Sequence, residues 1–265
     1  MARGIVTLTT DFGSSDPFVG VMKGVILGVN PDVELVDISH DIRPYDVMEA
    51  AYVLAQAYRY FPPRTIHLVV VDPGVGAARR PLLVSADRYH LVAPDNGVLS
   101  VVYAREESVY VRHITANHYF LEPVSNTFHG RDIFAPIAGW LSRRVESDKF
   151  GEIITDYTKF ALPLPKRVNE KLVKGIVLRV DRFGTLMTNL TPQDLPELFQ
   201  ETPAAFKMTV GKGEVTQLNT AYSDGAKGEL FAILGSSGYI EIAANKGSAS
   251  QTLGVGRGVE VGVAL

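Results

Sequence analysis

A continuous apolar run at residues 68–71, Leu-Val-Val-Val, is cut off by Asp72, Pro73 and Gly74. A run this short and rich in β-branched residues reads as a strand buried on both faces, the kind found centrally in a parallel sheet. Pro73, Gly74 and Gly76 stop the strand and let the backbone turn tightly. Asp72 therefore stands at the carboxyl end of a buried strand, where open α/β sheets place their ligands. Arg79 follows closely enough for the loop to fold back and bring a guanidinium to the carboxylate. The plainer alternative is an Asp that caps a turn and an Arg in solvent.

The 265 residues suffice for one large domain or two smaller ones with a real core. A formal net charge of −3 leaves no basic footprint, so nucleic acid is not an expected partner. Without cysteine there is no disulfide, no thiolate nucleophile and no Cys-ligated zinc. Residues 1–10 alternate like a strand and lack the apolar core of a signal peptide. No run approaches the ~20 apolar residues of a membrane helix. The expectation is a soluble, cytoplasmic protein with no membrane partner.

In chain order, residues 5–10 read as a strand, 19–29 as a helix closed by Asn30-Pro31, and 33–38 as a second strand. Asp46 and Glu49 have capping-box spacing at the start of a helix that runs to about residue 60, where Pro62-Pro63 ends it. Residues 65–71 form the central strand. This alternation predicts right-handed βαβ units and a largely parallel sheet. Next come a strand pair at 82–85 and 89–93, a turn at 94–97 opening a short helix over 98–103, and a strand at 109–112. An apolar helix over 133–141 follows His129, and its N-terminal partial charge favours a neutral imidazole. Residues 160–168, with Pro163 and Pro165, read as a linker. Beyond them the period is two, with Gly-rich turns at 211–213 and 235–238. The fold class is thus an α/β N-terminal domain with a largely parallel sheet (residues 1–165) plus a smaller all-β, barrel-like C-terminal domain (residues 166–265).

Several motifs are set aside on context. Asp11-Phe12-Gly13 matches the kinase magnesium string but lacks the upstream catalytic and Gly-rich loops. Gly74-Val75-Gly76 fits neither a Walker loop nor the dinucleotide fingerprint, and there is no Gly-x-Ser-x-Gly elbow. Asp11 is able to accept from both hydroxyls of a ribose; its alternative is a turn cap. Acids and histidines at strand ends (Asp11, His40, Asp41, Asp72, His129, Asp132) leave a hydrolytic metal site open, though no His-x-His or His-Glu-x-x-His spacing supports it. His67, His90, His113 and His118 lie in or beside strands and read as structural.

Five strings occur in order: Thr-Thr-Asp-Phe-Gly (9–13), Val-Asp-Pro-Gly-Val-Gly (71–76) with Arg79, Ala-Pro-Asp-Asn-Gly (93–97), Thr-Phe-His-Gly-Arg-Asp (127–132) and Val-Asp-Arg-Phe-Gly (180–184). Each is weak alone. Together, and over nearly the whole chain, they resemble the S-adenosylmethionine (SAM) hydroxide adenosyltransferases, or adenosine-forming SAM hydrolases, which are relatives of the fluorinating and chlorinating SAM enzymes. The resemblance implies hydrolysis of SAM to adenosine and L-methionine, with SAM as substrate and no cofactor or metal. It also implies a homotrimer with sites between the N-domain of one subunit and the C-domain of the next. Asp72, Arg79 and His129 match the set that positions the nucleophilic water; the halogenating relatives have Tyr where Asp72 stands and lack this His. Gly130 likewise occupies the place of a Ser in the fluorinating enzyme. Asp11 resembles the ribose-diol acceptor and Asp16 the carboxylate that meets the methionine amino group. Tyr45, a Trp in halogenating relatives, would pack against the ligand. Asp181 would meet the methionine part, Ser236 or Ser237 its carboxylate, and Tyr222 and Asn245 the adenine side. Thr185 departs from the Asn common among relatives.

The chemistry implied is displacement at C5′ of an already activated sulfonium, which requires an aligned water shielded from bulk solvent. With Arg79 beside Asp72 favouring the ionised acid, His129 is the expected proton acceptor and Asp72 with Arg79 the positioning pair. Two rivals remain at this point: a non-catalytic binder of SAM or adenosine, and a metal-dependent nucleotide hydrolase.

Overall fold

The computed structural model describes residues 3–265. The chain divides into two units, one ending at Leu162 and the other spanning Pro163–Leu265. The first unit runs β1 (Ile5–Thr10), α1 (Phe18–Val29), β2 (Glu34–Ser39), α2 (Val47–Ala57), β3 (Ile66–Val70), β4 (Pro81–Ala86), β5 (His90–Pro94), α3 (Ser100–Arg105), β6 (Val109–His113) and α4 (Ala135–Ser142). Its six strands lie in the order β2-β1-β3-β5-β4-β6. The pairs β1–β2, β1–β3 and β3–β5 are parallel, whereas β4 runs antiparallel to both β5 and β6. The sheet is therefore mixed rather than simply parallel. The cause is local: only three residues separate β4 from β5, and a connection that short closes antiparallel strands only.

β3 is buried along its whole length, as an apolar run requires. Ile66, Leu68 and Val70 face one core with Met22, Ile26 and Phe134, while Val69 and Val71 face a second with Leu54, Leu91 and Val102. Each such side chain contributes roughly 1.5–3 kcal/mol by leaving water, so both faces of this strand anchor it. α1 turns Val19, Met22 and Ile26 inward at helical spacing. α2 is capped by Asp46, whose carboxylate accepts from the Glu49 backbone N–H at 2.9 Å. Glu49 Oε2 accepts from Arg43 Nε at 2.9 Å and from the Arg43 backbone N–H at 3.2 Å, while the Asp46 N–H donates to the Arg43 carbonyl at 3.0 Å.

The helix expected over 133–141 has an unusual entry. Residues Gly130–Phe134 form one π-helical turn, closed by the Ala135 N–H on the Gly130 carbonyl. Pro136 has no N–H to donate to the carbonyl of Asp132. That carbonyl instead accepts from the Leu121 N–H at 2.8 Å. Such π turns recur where a helix must present a functional group, and this one begins directly after His129.

The second unit is built from β7 (Lys166–Asn169), β8 (Leu172–Val180), β9 (Leu186–Thr188), β10 (Lys207–Val210), β11 (Gly213–Val215), β12 (Leu218–Asn219), β13 (Leu230–Leu234), β14 (Ile240–Ala244), α5 (Ala249–Leu253) and β15 (Glu260–Ala264). The strand order is β11-β10-β15-β8-β9-β14-β13-β12, with β7 added beside β8. The sheet curls far enough for β11 to approach β13, yet its end strands β11 and β12 are not paired, so the described strands do not close a ring. Val173, Val177, Leu186, Ile240 and Val261 fill its interior. The expectation of an all-β unit also missed α5, a short helix capped by Ser248, which accepts from the Gln251 N–H at 3.2 Å.

Helices α1 and α4 meet where Gly139 faces Val29; a Cβ at Gly139 would lie 2.8 Å from Val29 Cβ. Val29 is β-branched and stiff, so it has little room to yield. Gly139→Ala gains up to about 1 kcal/mol of helix propensity, but overpacking costs about 1–3 kcal/mol. The net expectation is destabilisation, measured as a lower urea midpoint at unchanged slope; an unchanged or higher midpoint would show that the two helices part freely.

Candidate active site

Asp72 follows β3 by two residues and Arg79 lies across the Pro-Gly loop from it. Gly76 adopts φ +76°, and a Cβ there would run into the Asn126 carbonyl, so the turn accepts only glycine without strain. The loop closes as the sequence spacing suggests. Arg79 Nε donates to Asp72 Oδ1 and Oδ2 at 3.0 and 2.9 Å, and Nη2 donates to Oδ2 at 2.5 Å. The side chains are only 9% and 5% exposed, so this fork-on-carboxylate contact is shielded from water. The guanidinium carbon also sits 5.2 Å from the centre of the Phe134 ring. Sequence reading gave Phe134 and Asn96 no role at this site. Asn96 Nδ2 donates to the Val71 carbonyl at 2.9 Å and so fixes the backbone immediately before Asp72.

Arg79 Nη2 lies 2.6 Å from His129 Nδ1. A guanidinium only donates, so Nδ1 must carry the lone pair and, in the neutral ring, Nε2 must carry the proton. Burial, and next the Arg79 charge, push His129 below the ordinary histidine range, while Asp72 and Asp132 pull the other way. Burial favours the neutral ring, and the Arg79 hydrogen bond then leaves Nε2 as its donor. Asp132, fully buried, anchors the loop on which His129 rides: it accepts from the Ser125 N–H at 2.8 Å and from Arg131 Nε at 2.6 Å.

Beside these groups, Phe12, Phe18 and Phe128 form a cluster with ring centres 5.4–6.0 Å apart. Phe12 follows Asp11, Phe128 precedes His129 and Phe18 lies two residues after Asp16, so the cluster gathers the segments carrying all three. Asp11 Oδ2 accepts from the Tyr45 N–H at 2.8 Å. Tyr45 is 74% exposed and held at φ +68°, a left-handed conformation costly for an aromatic residue. A carboxylate has further lone pairs beyond the one this contact uses. His40 supports the same turn: its Nδ1 lies 2.8 Å from Thr10 Oγ1, and its carbonyl accepts from the Gly13 N–H at 2.8 Å. Asp16 is exposed just ahead of α1.

The second unit carries the remaining candidates. Asp181 Oδ1 accepts from the Phe183 and Thr185 N–H groups at 2.9 and 2.8 Å, which builds the Asp-Arg-Phe-Gly-Thr turn. Tyr222 donates to Glu241 Oε2 at 2.9 Å. Burial, and to a lesser degree the charge of Asp181, raise the Glu241 carboxyl; Glu241 had no signal in the sequence. Ser237 Oγ is 3.9 Å from Met187 Sδ, Ser236 is exposed, and Asn245 Nδ2 donates to the Gly225 carbonyl at 2.6 Å. Among the described residues no hydrogen bond joins these three to Asp181 or Tyr222. Nor does any group of three or more His, Asp or Glu residues that could hold a metal ion come together among them. His67 is buried against Thr7 Oγ1 at 2.8 Å, and burial drives it down to about 4, as befits a structural residue.

This geometry coincides with a known family. Residues 6–151 match the model of the SAM hydroxide adenosyltransferase N-terminal domain, and residues 175–262 that of its C-terminal domain. The chain belongs to the SAM hydroxide adenosyltransferase family. A relative from Salinispora tropica named (R)-S-adenosyl-L-methionine hydrolase is 36% identical over 94% of each chain. One of the same name from Methanocaldococcus jannaschii is 32% identical, over 95% of this chain and 92% of that one. Among solved structures, an uncharacterised conserved protein from Thermotoga maritima superposes with a TM-score of 0.92 at 37% identity, over 98% of this chain and 100% of the other.

The His129 environment has a measurable consequence. Its folded pKa is depressed, so the stability it contributes is fully present above the unfolded value of about 6.5. That stability is lost as pH falls from there through the lower folded value. In a histidine NMR titration His129 should have its midpoint below 6.5, and Arg79→Met should move that midpoint up by removing the adjacent cation. A midpoint that ignores Arg79→Met would refute the assigned contact.

Proposed function

We propose that the protein hydrolyses SAM to adenosine and L-methionine by in-line attack of water at ribose C5′, without a metal. The observation that carries this reading is the shielded Asp72–Arg79–His129 chain of hydrogen bonds, a charge-balanced cluster that mere ligand binding does not require. The water oxygen bonds to C5′ as the C5′–S bond breaks, and the thioether of methionine leaves with the electron pair. One water proton passes to the protein.

The expectation that His129 takes that proton is revised in this reading. With Nδ1 accepting from Arg79, the neutral ring offers a donor at Nε2, which suits it to orient the water rather than deprotonate it. Asp72 retains lone pairs beyond those that Arg79 engages and is the better acceptor. Arg79 fixes both partners, which supplies the orientation on which such displacements depend. Asp11 accepts the ribose hydroxyls, Asp16 meets the amino group, and Tyr45 packs on the ligand. Asp181, Ser236, Ser237, Tyr222 and Asn245 complete the methionine and adenine contacts. Acids kept on the ribose and amine rather than on sulfur suit a reaction in which the sulfonium charge disappears in the transition state. The homotrimer and cytoplasmic location are part of the same reading; light scattering should give three times the chain mass of 28.9 kDa.

Purified protein incubated with SAM and EDTA in oxygen-18 water should release methionine and adenosine labelled at the 5′-hydroxyl. The assay should include both sulfonium epimers, since the named relatives act on the R form. Tight retention of SAM without turnover would favour the binder instead. Asp72→Asn, which preserves volume, should lower kcat by ~10²-fold or more with little change in KM. Combining it with His129→Ala should add little further loss, because groups acting on one water behave as a unit. Multiplicative losses would argue against the cluster.

A further inference from the structure

At the end of the sheet opposite Asp72, a half-enclosed cavity of about 650 Å³ opens where β1 and β3 begin and α4 ends. Its apolar lining includes Ile5, Ile66 and Leu141. Three arginines, Arg3, Arg64 and Arg144, line it as well, and Arg3 and Arg144 continue into an adjoining hollow of about 410 Å³. Glu146 and Asp32 are the acids along the two linings, so the cations outnumber them. Arg143, next in sequence to Arg144, is engaged: it donates to the Val29 carbonyl at 3.3 Å and lies over Trp140. Among the described residues, by contrast, no side-chain hydrogen bond or ion pair engages Arg3, Arg64 or Arg144. His90, also in the lining, is held neutral by burial and contributes no charge.

Two of these arginines share a second property. Arg64 and Arg144 adopt φ +71° and +66°, the left-handed region in which Gly or Asn sits with less strain. Strained backbone of this kind concentrates at functional sites. Here it occurs at two positions distant in sequence whose unpartnered guanidinium groups meet at one cavity. Propensity alone would place Gly or Asn at either; the cavity explains why a cation stands there.

We infer that this cavity is a second ligand site, separate from the Asp72 cluster, which takes a small phosphate-bearing molecule with an apolar body. Guanidinium forks match phosphate oxygens in pairs, and three of them suit a phosphate ester or diphosphate better than a lone carboxylate. The apolar floor accounts for the body.

The test uses the intact protein, with pyrophosphate and AMP as probes in isothermal titration, adenosine being present in excess to occupy the proposed substrate site. Wild type should bind both saturably, AMP more tightly because of the apolar floor. Arg64→Gly and Arg144→Gly should each weaken binding about tenfold or more, leave SAM turnover unchanged, and melt no lower than wild type, since Gly relieves the strained φ. If a Gly variant does not fold, Arg64→Asn and Arg64→Lys replace it, and Lys should keep most of the binding that Asn loses. Absence of saturable binding, or equal affinity in wild type and variants, would overturn the site. Pyrophosphate binding more tightly than AMP would overturn the assignment of an apolar body.

Discussion

The Arg79 guanidinium is the contact on which the site depends. It holds a carboxylate at the end of β3 with one edge and an imidazole at the head of a π turn with the same terminal nitrogen, while a Phe134 face lies beneath. Asp72 and His129 come from separate parts of the chain, and the Arg79 side chain is what links them. Removing the cation would strand a nearly dry carboxylate, which costs far more than the pair is worth as a surface ion pair. The tautomer of His129 and the orientation of the Asp72 carboxylate both follow from where this one side chain lies.

The supporting structure explains why it lies there. β3 is clamped between two cores, so the loop that follows starts from a rigid point. Asn96 ties down the last carbonyl before Asp72, and the π turn before α4 aims His129 back across the loop. Pro136 is part of this arrangement: a residue that cannot donate frees the Asp132 carbonyl to accept from Leu121, while the Asp132 side chain holds the loop ahead of His129.

Much of this was legible in the sequence where a local rule decides the outcome. The buried β3, the Asp46 cap and the return of Arg79 onto Asp72 follow from an apolar run, a capping residue and a glycine-rich turn. What was not legible depends on partners far apart in sequence or on bonds without compositional signature. β4 reverses the sheet because a short turn overrides the βαβ pattern. The barrel-like expectation holds as a curled half-barrel whose ends stay unpaired, since period-two alternation reports which faces are buried and says nothing of closure. Glu241 carried no motif, and the Ala-Pro-Asp-Asn-Gly string that contains Asn96 gave no sign of its bond to the Val71 carbonyl; both roles are visible only through the atoms they touch. The tautomer of His129 needed the Arg79 contact, which no local sequence rule supplies.

The neutral charge balance of the buried cluster bears on how a cationic ligand would find it. Asp72 cancels Arg79 in place and His129 is uncharged, so at a distance the three project almost no field. On the proposed reading, attraction is left to Asp11 and the exposed Asp16. Their reach is limited to the Debye length, about 8 Å at physiological ionic strength. Association should consequently slow only modestly as salt rises, while the chemical step, insulated from solvent ions, should hardly respond to salt at all.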